Sequence, residues 1–452
     1  MNRTYRIVFN RSAGLWQVVS EHVRGQGKGG RHASRSVRRR LPFMAMLLAA
    51  LGAAGQAQAG PMVTFTGDTT FAPYSGPNLV AFAPLYVGIS GVGTLTAADG
   101  GQVTISPGYT VILADSASAQ GTINIGAAPG AAPVGAGFLA TSLLEFGAGT
   151  GTLNFNTNSF HDFGAALVSR DAGTHQLKHY AGSTRLVGDS SGFVGKTTVT
   201  GGSLQILNIL GTTEGRIDAG QAPGATARVS VFSPGSTWAL TDNLFVGGAG
   251  LGELSISSTG TVSNQFATVA AQQNGAAKVT VSDVGSLWSN RATLLVGTEG
   301  GMGSVSILAG GYVTSVDGVV GREEDGSGVF LVSGRGSAWT NSGELRVGDV
   351  YGRGILSIEA GGFVSNKDSY VGSVNGNGSV VVRGAGSIWD NSGAMILGFG
   401  TGLGAGTLTI AQGGAVNVGA NGGGTVSLAQ DRFFIFPTTG TINIGAAAGS
   451  RP

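Results

Sequence analysis

Ser190 is the serine whose neighbours match a catalytic pattern. It stands in the segment from Gly188 to Gly192, which reads Gly-Asp-Ser-Ser-Gly and matches the G-x-S-x-G turn on which many hydrolases expose a nucleophile. Such an enzyme needs an aspartate and then a histidine further along the chain. No histidine follows His179, so the order of residues disfavours a serine hydrolase.

Two other short patterns resemble ligand sites. Residues 190–197 (SSGFVGKT) differ from a phosphate-binding loop by a serine in place of the first glycine, and no helical pattern follows them. His175 and His179 have the spacing of metal ligands on a helix, but their surroundings predict strand and turn, and no third ligand stands near. We therefore expect no catalytic residue, no cofactor and no metal site.

The chain is organised by a sequence repeat that occurs four times, each copy with one tryptophan. Each copy contains Gly-Ser-x-Trp, and successive tryptophans lie 50, 51 and 50 residues apart. Nine residues after each tryptophan comes a glycine that follows an aliphatic residue. The tryptophans are Trp238, Trp288, Trp339 and Trp389, and the glycines are Gly247, Gly297, Gly348 and Gly398. A repeat of this period indicates stacked units that bury their apolar faces against one another.

Short alternating stretches such as Leu254-Ser255-Ile256 predict strands, because the apolar residues recur with a period of two. Gly, Asn, Asp and Ser separate these stretches, and the chain after residue 59 lacks a helical period. Each unit of 50 residues holds two similar halves. The sequence thus predicts an all-β parallel β-helix in which each half forms one turn of three short strands. About fifteen turns at ~4.8 Å would give a rod ~70 Å long.

The four tryptophans allow two interpretations. They could form an external ladder that binds sugar rings, or they could fill the core beside small residues, which we favour. In the core, tryptophans in alternate turns would lie ~9.6 Å apart, with Val262, Val313 and Val364 between them. Five asparagines that follow a Trp or Val by two residues are interpreted as turn residues with left-handed backbone that bond between turns. These are Asn264, Asn290, Asn341, Asn366 and Asn391.

Charge is distributed unevenly along the chain. Residues 1–59 hold ten of the 26 Lys and Arg residues and one of the 24 acids, so residues 60–452 carry a formal net charge of −7. An acidic body disfavours nucleic acid as a partner. The chain has no cysteine, which suits a protein that crosses membranes unfolded, because no cross-link can block threading.

The first 59 residues predict a secretory signal. A basic extension (1–40) ends in three arginines, an apolar core (41–54) follows, and Ala57-Gln58-Ala59 completes an A-x-A cleavage pattern. The apolar run is shorter than the ~20 residues that a membrane span needs. We predict export by the Sec machinery and cleavage between Ala59 and Gly60.

The rest of the chain divides by its repeats. We predict an N-terminal cap or loop at 60–84, a first β-helical region at 85–228 and the four tryptophan units at 229–420. Residues 121–128 (GTINIGAA) recur at 440–447. Residues 421–452 are therefore interpreted as the start of a second copy of the 101–133 module, cut short.

Three features resemble autotransporters, which are secreted by the type V route. Residues 1–28 resemble the extended signal peptide region of large secreted proteins of Gram-negative bacteria. The segments 146–155, 180–184 and 195–204 resemble the passenger-associated repeat, and the tryptophan units resemble a repeat shared by autotransporter passengers. The resemblance implies a right-handed parallel β-helix. It also implies a C-terminal translocator barrel, which this chain lacks, so we expect a fragment or a truncated gene product.

The leading functional hypothesis is a surface-exposed passenger segment that is structural or adhesive and not an enzyme. Its expected partners are the Sec machinery, a translocator barrel and ligands on host or neighbouring cells. We expect the cell surface, the outer membrane or the medium if a barrel is present, and the periplasm if the chain ends here. Two alternatives stay open: a hydrolase-bearing passenger with a cryptic site in 129–195, and a surface protein anchored by other means.

Overall fold

The computed structural model describes residues 5–10, 15–20, 60–220, 225–400, 402–419, 423–431 and 438–445. The chain divides into two units, Met1–Gly55 and Gln56–Pro452. In the first unit, β1 (Tyr5–Asn10) pairs antiparallel with β2 (Leu15–Ser20). The predicted apolar core of the signal, Ala57 and Ala59 lie outside the described residues, and Gly60 is exposed. Within the described chain no apolar helix is long enough to cross a membrane.

The second unit is built of short strands joined by turns, and its described residues include no helix. Its first part contains β3 (Met62–Gly67), β4 (Tyr74–Gly76), β5 (Asn78–Ala81), β6 (Leu85–Val87), β7 (Val92–Ala98), β8 (Gln102–Ile105), β9 (Val111–Leu113), β10 (Gln120–Gly126), β11 (Phe138–Ala140), β12 (Leu143–Phe146), β13 (Thr150–Phe163), β14 (Ala166–Ser169), β15 (Thr174–Leu186), β16 (Lys196–Val199), β17 (Gly202–Ile206), β18 (Ile209–Thr212) and β19 (Gly215–Ile217).

The tryptophan units contribute β20 (Thr226–Phe232), β21 (Thr237–Leu240), β22 (Leu244–Val246), β23 (Leu251–Ser257), β24 (Thr261–Asn264), β25 (Ala267–Val269), β26 (Ala276–Ser282), β27 (Leu287–Asn290), β28 (Leu294–Thr298), β29 (Met302–Leu308), β30 (Tyr312–Ser315), β31 (Gly318–Arg322), β32 (Ser327–Ser333), β33 (Ala338–Asn341), β34 (Glu344–Asp349), β35 (Arg353–Glu359), β36 (Phe363–Asn366), β37 (Asp368–Ser373), β38 (Asn377–Arg383), β39 (Ile388–Asn391), β40 (Met395–Gly400), β41 (Ala405–Ala411) and β42 (Ala415–Val418). After them come β43 (Val426–Asp431) and β44 (Thr439–Ile444).

Strands pair in parallel with the strand one turn further along, which confirms a parallel β-helix of about 13 turns. In the tryptophan units each turn contains a long strand of seven residues, a middle strand of four, and a third strand of three to six. Val229 pairs with Leu254, and Leu254 pairs with Val279. Inward residues therefore stack in columns, and a continuous apolar core runs from Val63 to Leu408. The right-handed sense of the coil remains a prediction.

Near the end of the first region, columns of stacked strands change their position in the turn between long, middle and third strand. The first half of β15 pairs with β16, and its second half pairs with β17. From there the column begun by long strands β7, β10 and β13 continues as the third strands β16, β19 and β22. The second halves of β13 and β15 lead into the column of long strands β17, β20 and β23. The core stays continuous although the sequence pattern on each face changes.

The first turn is covered at its open edge. Strand β3 pairs antiparallel with β7, so the row of backbone groups at that end is hydrogen-bonded rather than open to another chain. The Asp68 carboxylate accepts hydrogen bonds from the backbone N–H groups of Ile89, Ser90 and Gly91 at 2.9, 2.6 and 2.6 Å. The bonds from Ser90 and Gly91 are the main causes that lower the pKa of Asp68.

Candidate functional site

All four tryptophans of the repeat lie in the core. Trp238, Trp288, Trp339 and Trp389 each expose 0% of their surface. Trp288 pairs with Val262 in the turn before it and with Val313 in the turn after it. Large and small apolar residues thus alternate along one inward column, with tryptophans ~9.6 Å apart. A sugar outside the rod cannot contact these rings.

Each indole N–H donates a hydrogen bond to a polar side chain in the preceding turn. Trp288 Nε1 donates to Asn264 Oδ1 at 2.8 Å, and Trp389 Nε1 donates to Asn366 Oδ1 at 2.7 Å. Trp339 instead donates to Ser315 Oγ at 3.0 Å. A buried donor left without an acceptor is costly, so the residue two positions after each valine is part of the tryptophan site.

The asparagines lie inside the rod and not in exposed turns. All five end strands, are at most 6% exposed, and are absent from the residues with left-handed backbone. The expectation of left-handed turn residues is therefore wrong, because these side chains face inward, where Asn264 and Asn366 accept hydrogen bonds from buried indoles. The expectation of bonds between turns is met: Asn264 Nδ2 donates to Asn290 Oδ1 at 2.8 Å, and Asn366 Nδ2 donates to Asn391 Oδ1 at 2.5 Å.

The glycines of the repeat mark the bend from the third strand of a turn into the next long strand. Gly247, Gly297, Gly348 and Gly398 have φ values of 71°, 72°, 70° and 73°. A Cβ on Gly297 would lie 2.0 Å from the backbone oxygen of Ser327 in the adjacent turn. Both the left-handed backbone and the close approach of the next turn require glycine there.

Ser190 has no catalytic geometry. It is 2% exposed, and its Oγ accepts a hydrogen bond from the backbone N–H of Leu167 at 3.0 Å. Its backbone forms a parallel bridge with Leu210 and so continues a column of the solenoid. The segment that resembles a phosphate-binding loop runs into strand β16, not into a helix. Ser190 is therefore not accessible, and the second segment has no helix N-terminus to hold a phosphate.

His175 and His179 lie on strand β15 with their rings buried in the solenoid. His175 Nε2–H donates to the carbonyl oxygen of Gly147 at 2.8 Å, and Nδ1 accepts from Ser169 Oγ at 2.7 Å. His179 lies 2.8 Å from the carbonyl oxygen of Gly201 and 3.2 Å from Thr184 Oγ1. The contacts of His179 fit a neutral imidazole with one donor and one acceptor nitrogen. Within the described ranges, no group of three acidic, His or Cys side chains is placed to hold a metal.

Burial also lowers the pKa of two histidines. Burial lowers the pKa of His179 to about 4, against an opposing effect of its bond to Gly201. His161 is 4% exposed beside Phe138, Phe155 and Phe163, and its ring nitrogens have no hydrogen-bond partner among the described residues. Burial lowers the pKa of His161 as well. Both rings are therefore held neutral in the folded rod.

We expect the rod to lose stability as the pH falls from about 6.5 to about 4, because His179 then binds a proton in the unfolded chain but not in the folded one. This single group contributes roughly 3 kcal/mol over that window. The measurement is the free energy of unfolding at a series of pH values. His179→Gln, which cannot be protonated, should have a shallower slope over the same range. Equal slopes for the two proteins would contradict the assignment.

The outer surface of the middle strands carries residues that the repeat pattern did not single out. From β27 to β39 the first outward position holds Leu287, Tyr312, Ala338, Phe363 and Ile388, here called the apolar column. From β24 to β36 the second outward position holds Ser263, Ser289, Thr314, Thr340 and Ser365, here called the hydroxyl column. Both columns follow the rod axis side by side.

Comparison with known families concerns the N-terminus. Residues 1–50 match the Extended Signal Peptide of Type V secretion system. The chain therefore carries the N-terminal address of a type V secretion protein. The resemblance noted for residues 1–28 is confirmed, and so is Sec-dependent export as the role of this segment. A secretion signal of this class joined to a parallel β-solenoid is the build typical of autotransporter passengers.

A relative is similar in sequence to about a third of the chain. Over 156 residues the protein is 35% identical to the Uncharacterized lipoprotein YdeK of Escherichia coli (strain K12). The match covers 34% of this chain and 11% of that lipoprotein. The similarity thus concerns a small part of a much longer protein.

Proposed function

We propose that the solenoid is the passenger segment of an autotransporter-like protein and acts as a non-catalytic adhesive rod. The observation that supports this proposal is the fate of the reactive side chains. The hydroxyl of Ser190 and the rings of His175 and His179 are buried, and each makes a hydrogen bond that joins one turn to the next. A reacting group needs access to its substrate, and these groups lack it.

The repeat itself favours a scaffold. Each turn contacts its two neighbours, so turns extend the rod without changing its cross-section. Such a rod can hold an adhesive surface away from the cell. A translocator barrel and ligands on host or neighbouring cells are its proposed partners, and the cell surface or the outside of the cell is its proposed location. The similarity to a lipoprotein supports a place in the cell envelope.

The export signal can be tested directly. The full chain is produced in a Gram-negative cell beside a variant that lacks residues 1–59, and both are followed by fractionation. We expect the solenoid outside the cytoplasm only when the signal is present. Equal export of the two proteins would contradict the role of the signal.

Adhesion and catalysis are tested on the exported protein. Beads coated with it should adhere to bacterial or epithelial cells more than beads coated with albumin, and the protein should not turn over ester, peptide or glycoside substrates. Hydrolysis that disappears in Ser190→Ala would overturn the non-catalytic proposal. Coated beads that adhere no better than albumin beads would overturn the adhesive one.

A further inference from the structure

We propose that the apolar and hydroxyl columns together bind an extended, uncharged polysaccharide that lies along the rod axis. This inference rests on the proposed adhesive function and names the chemical class of its ligand. The two columns lie in register on one face of the same parallel sheet. Their side chains point outward, because they alternate with the fully buried Trp and Val residues of the inward column.

Two aromatic rings give the face its spacing. Tyr312 pairs with Ala338 in the next turn, and Ala338 pairs with Phe363 in the turn after that. The Cα atoms of these two residues therefore lie two turns apart, ~9.6 Å along the axis. This distance is close to the length of a disaccharide in an extended β-linked chain. Every second sugar of such a chain can then stack its apolar C–H face on a ring.

The tyrosine lies across the face. Its hydroxyl is 2.9 Å from Thr340 Oγ1, which belongs to the following turn and to the hydroxyl column. To reach that atom the ring must lean along the sheet over small Ala338. Tyr312 remains 38% exposed in this position. An exposed ring whose hydroxyl is fixed by a hydrogen bond has less freedom to lose on binding, and such preorganisation lowers the entropic cost of binding.

The hydroxyl column supplies polar contacts of the right kind. Ser263, Ser289, Thr314, Thr340 and Ser365 follow one another at each turn, and Thr314 Oγ1 donates to Ser289 Oγ at 3.2 Å. Serine and threonine hydroxyls both donate and accept, as sugar hydroxyls do. They lie beside the rings, where the edge of a stacked sugar would project.

Low charge decides between neutral and anionic ligands. Among the described outward positions from β21 to β42, Asp390 is the single charged residue. The strands of this face therefore offer no basic side chain to a nucleic acid, an acidic glycan or an anionic lipid. A neutral polysaccharide needs no counter-charge, and rings with hydroxyls suffice to recognise it.

The test measures binding of the exported protein to cello-oligosaccharides of two to six sugars by calorimetry, with heparin as an anionic comparison. Affinity should rise sharply between two and three sugars, because three are needed to cover both rings. Tyr312→Ala and Phe363→Ala should each weaken cellohexaose binding by about tenfold. The matched control is Phe82→Ala, which removes an aromatic residue that is 75% exposed near the N-terminal cap.

A second variant tests the geometry without removing a ring. Ala338→Arg places bulk and charge between Tyr312 and Phe363, so it should abolish cellohexaose binding. The thermal midpoints of all these variants should match the parent, since the side chains point outward. Unchanged binding in Tyr312→Ala and Phe363→Ala would overturn the proposal, as would preference for heparin or equal loss in Phe82→Ala. Self-association or protein binding that depends on Tyr312 in the absence of glycan binding would overturn it too.

The bead assay separates the two proposals. If beads coated with the Tyr312→Ala/Phe363→Ala double variant still adhere as well as the parent, the rod adheres through another surface and only the polysaccharide site is lost. If beads coated with the parent protein do not adhere, the adhesive function itself fails.

Discussion

Replacing Trp288 with alanine will lower the free energy of unfolding by about 4 kcal/mol. The indole is completely buried between Val262 and Val313 of the neighbouring turns, so its removal leaves a large cavity. It also leaves Asn264 Oδ1 without the donor that now reaches it at 2.8 Å. The measurement is chemical denaturation of the exported protein, with hydrogen exchange to locate the loss, because solenoids open locally.

Trp288→Phe separates the two contributions. Phenylalanine keeps most of the apolar volume but lacks the N–H donor, so we expect a smaller loss, in the range of the ~1–3 kcal/mol that a buried unsatisfied acceptor costs. Faster exchange should centre on the turns that contain Asn264 and Asn290. An unfolding midpoint that does not change in Trp288→Ala would show that the ring is not a core residue.

Gly297→Ala will destabilise the rod by about 3 kcal/mol or more. Alanine in left-handed backbone costs ~1–2 kcal/mol by itself. The added Cβ would also lie 2.0 Å from the backbone oxygen of Ser327, which cannot move without displacing the adjacent turn. The free energy of unfolding is again the quantity to measure.

Gly235 provides a matched control for that substitution. Its φ is 82°, but a Cβ there would meet no atom within 4 Å. Gly235→Ala should therefore show only the cost of the backbone conformation, ~1–2 kcal/mol. Similar losses for the two variants would mean that the close approach between turns contributes nothing.

The fold was predictable because the sequence carries two independent signals of it, a fixed repeat period and a period-two alternation of apolar residues. The fixed period around Trp238 to Trp389 indicates stacked units, and alternation such as Leu254-Ser255-Ile256 indicates strands with one buried face. Period-two alternation also identifies which residues point inward. The long strands have seven residues, more than the apolar triplets suggest, because the first inward position holds a glycine such as Gly252, which carries no apolar signal.

The shift of strand roles in β13 and β15 could not be predicted. Strand β13 spans two faces without an intervening glycine turn. Strand β15 bends at Gly182, whose φ is 81°, and its first half pairs with a different strand from its second half. Which face a strand occupies depends on pairing between turns, and local sequence carries no record of that choice. The antiparallel strand β3 is a pairing of the same kind.

The candidate surface was missed for a different reason. Tyr312 and Phe363 occupy positions that vary among the four units, whereas a repeat is recognised by the positions that stay constant. Their importance depends on Ala338, which stands between them only after the turns are stacked. The asparagines were misjudged because a composition rule places asparagine in turns, while the demand of a buried indole for an acceptor appears only in three dimensions.

Because tryptophan and valine alternate along the inward column, the rod can be shortened or lengthened by two turns at a time without disturbing that alternation. Deleting the 50 residues from Trp238 to Leu287 joins Thr237 to Trp288 and removes two whole turns. Trp288 then takes the place of Trp238 above Thr212. Deleting a single turn would instead set two indoles or two valines next to each other, ~4.8 Å apart. The 50-residue unit is thus the smallest piece that recombination can add or remove without repacking the interior.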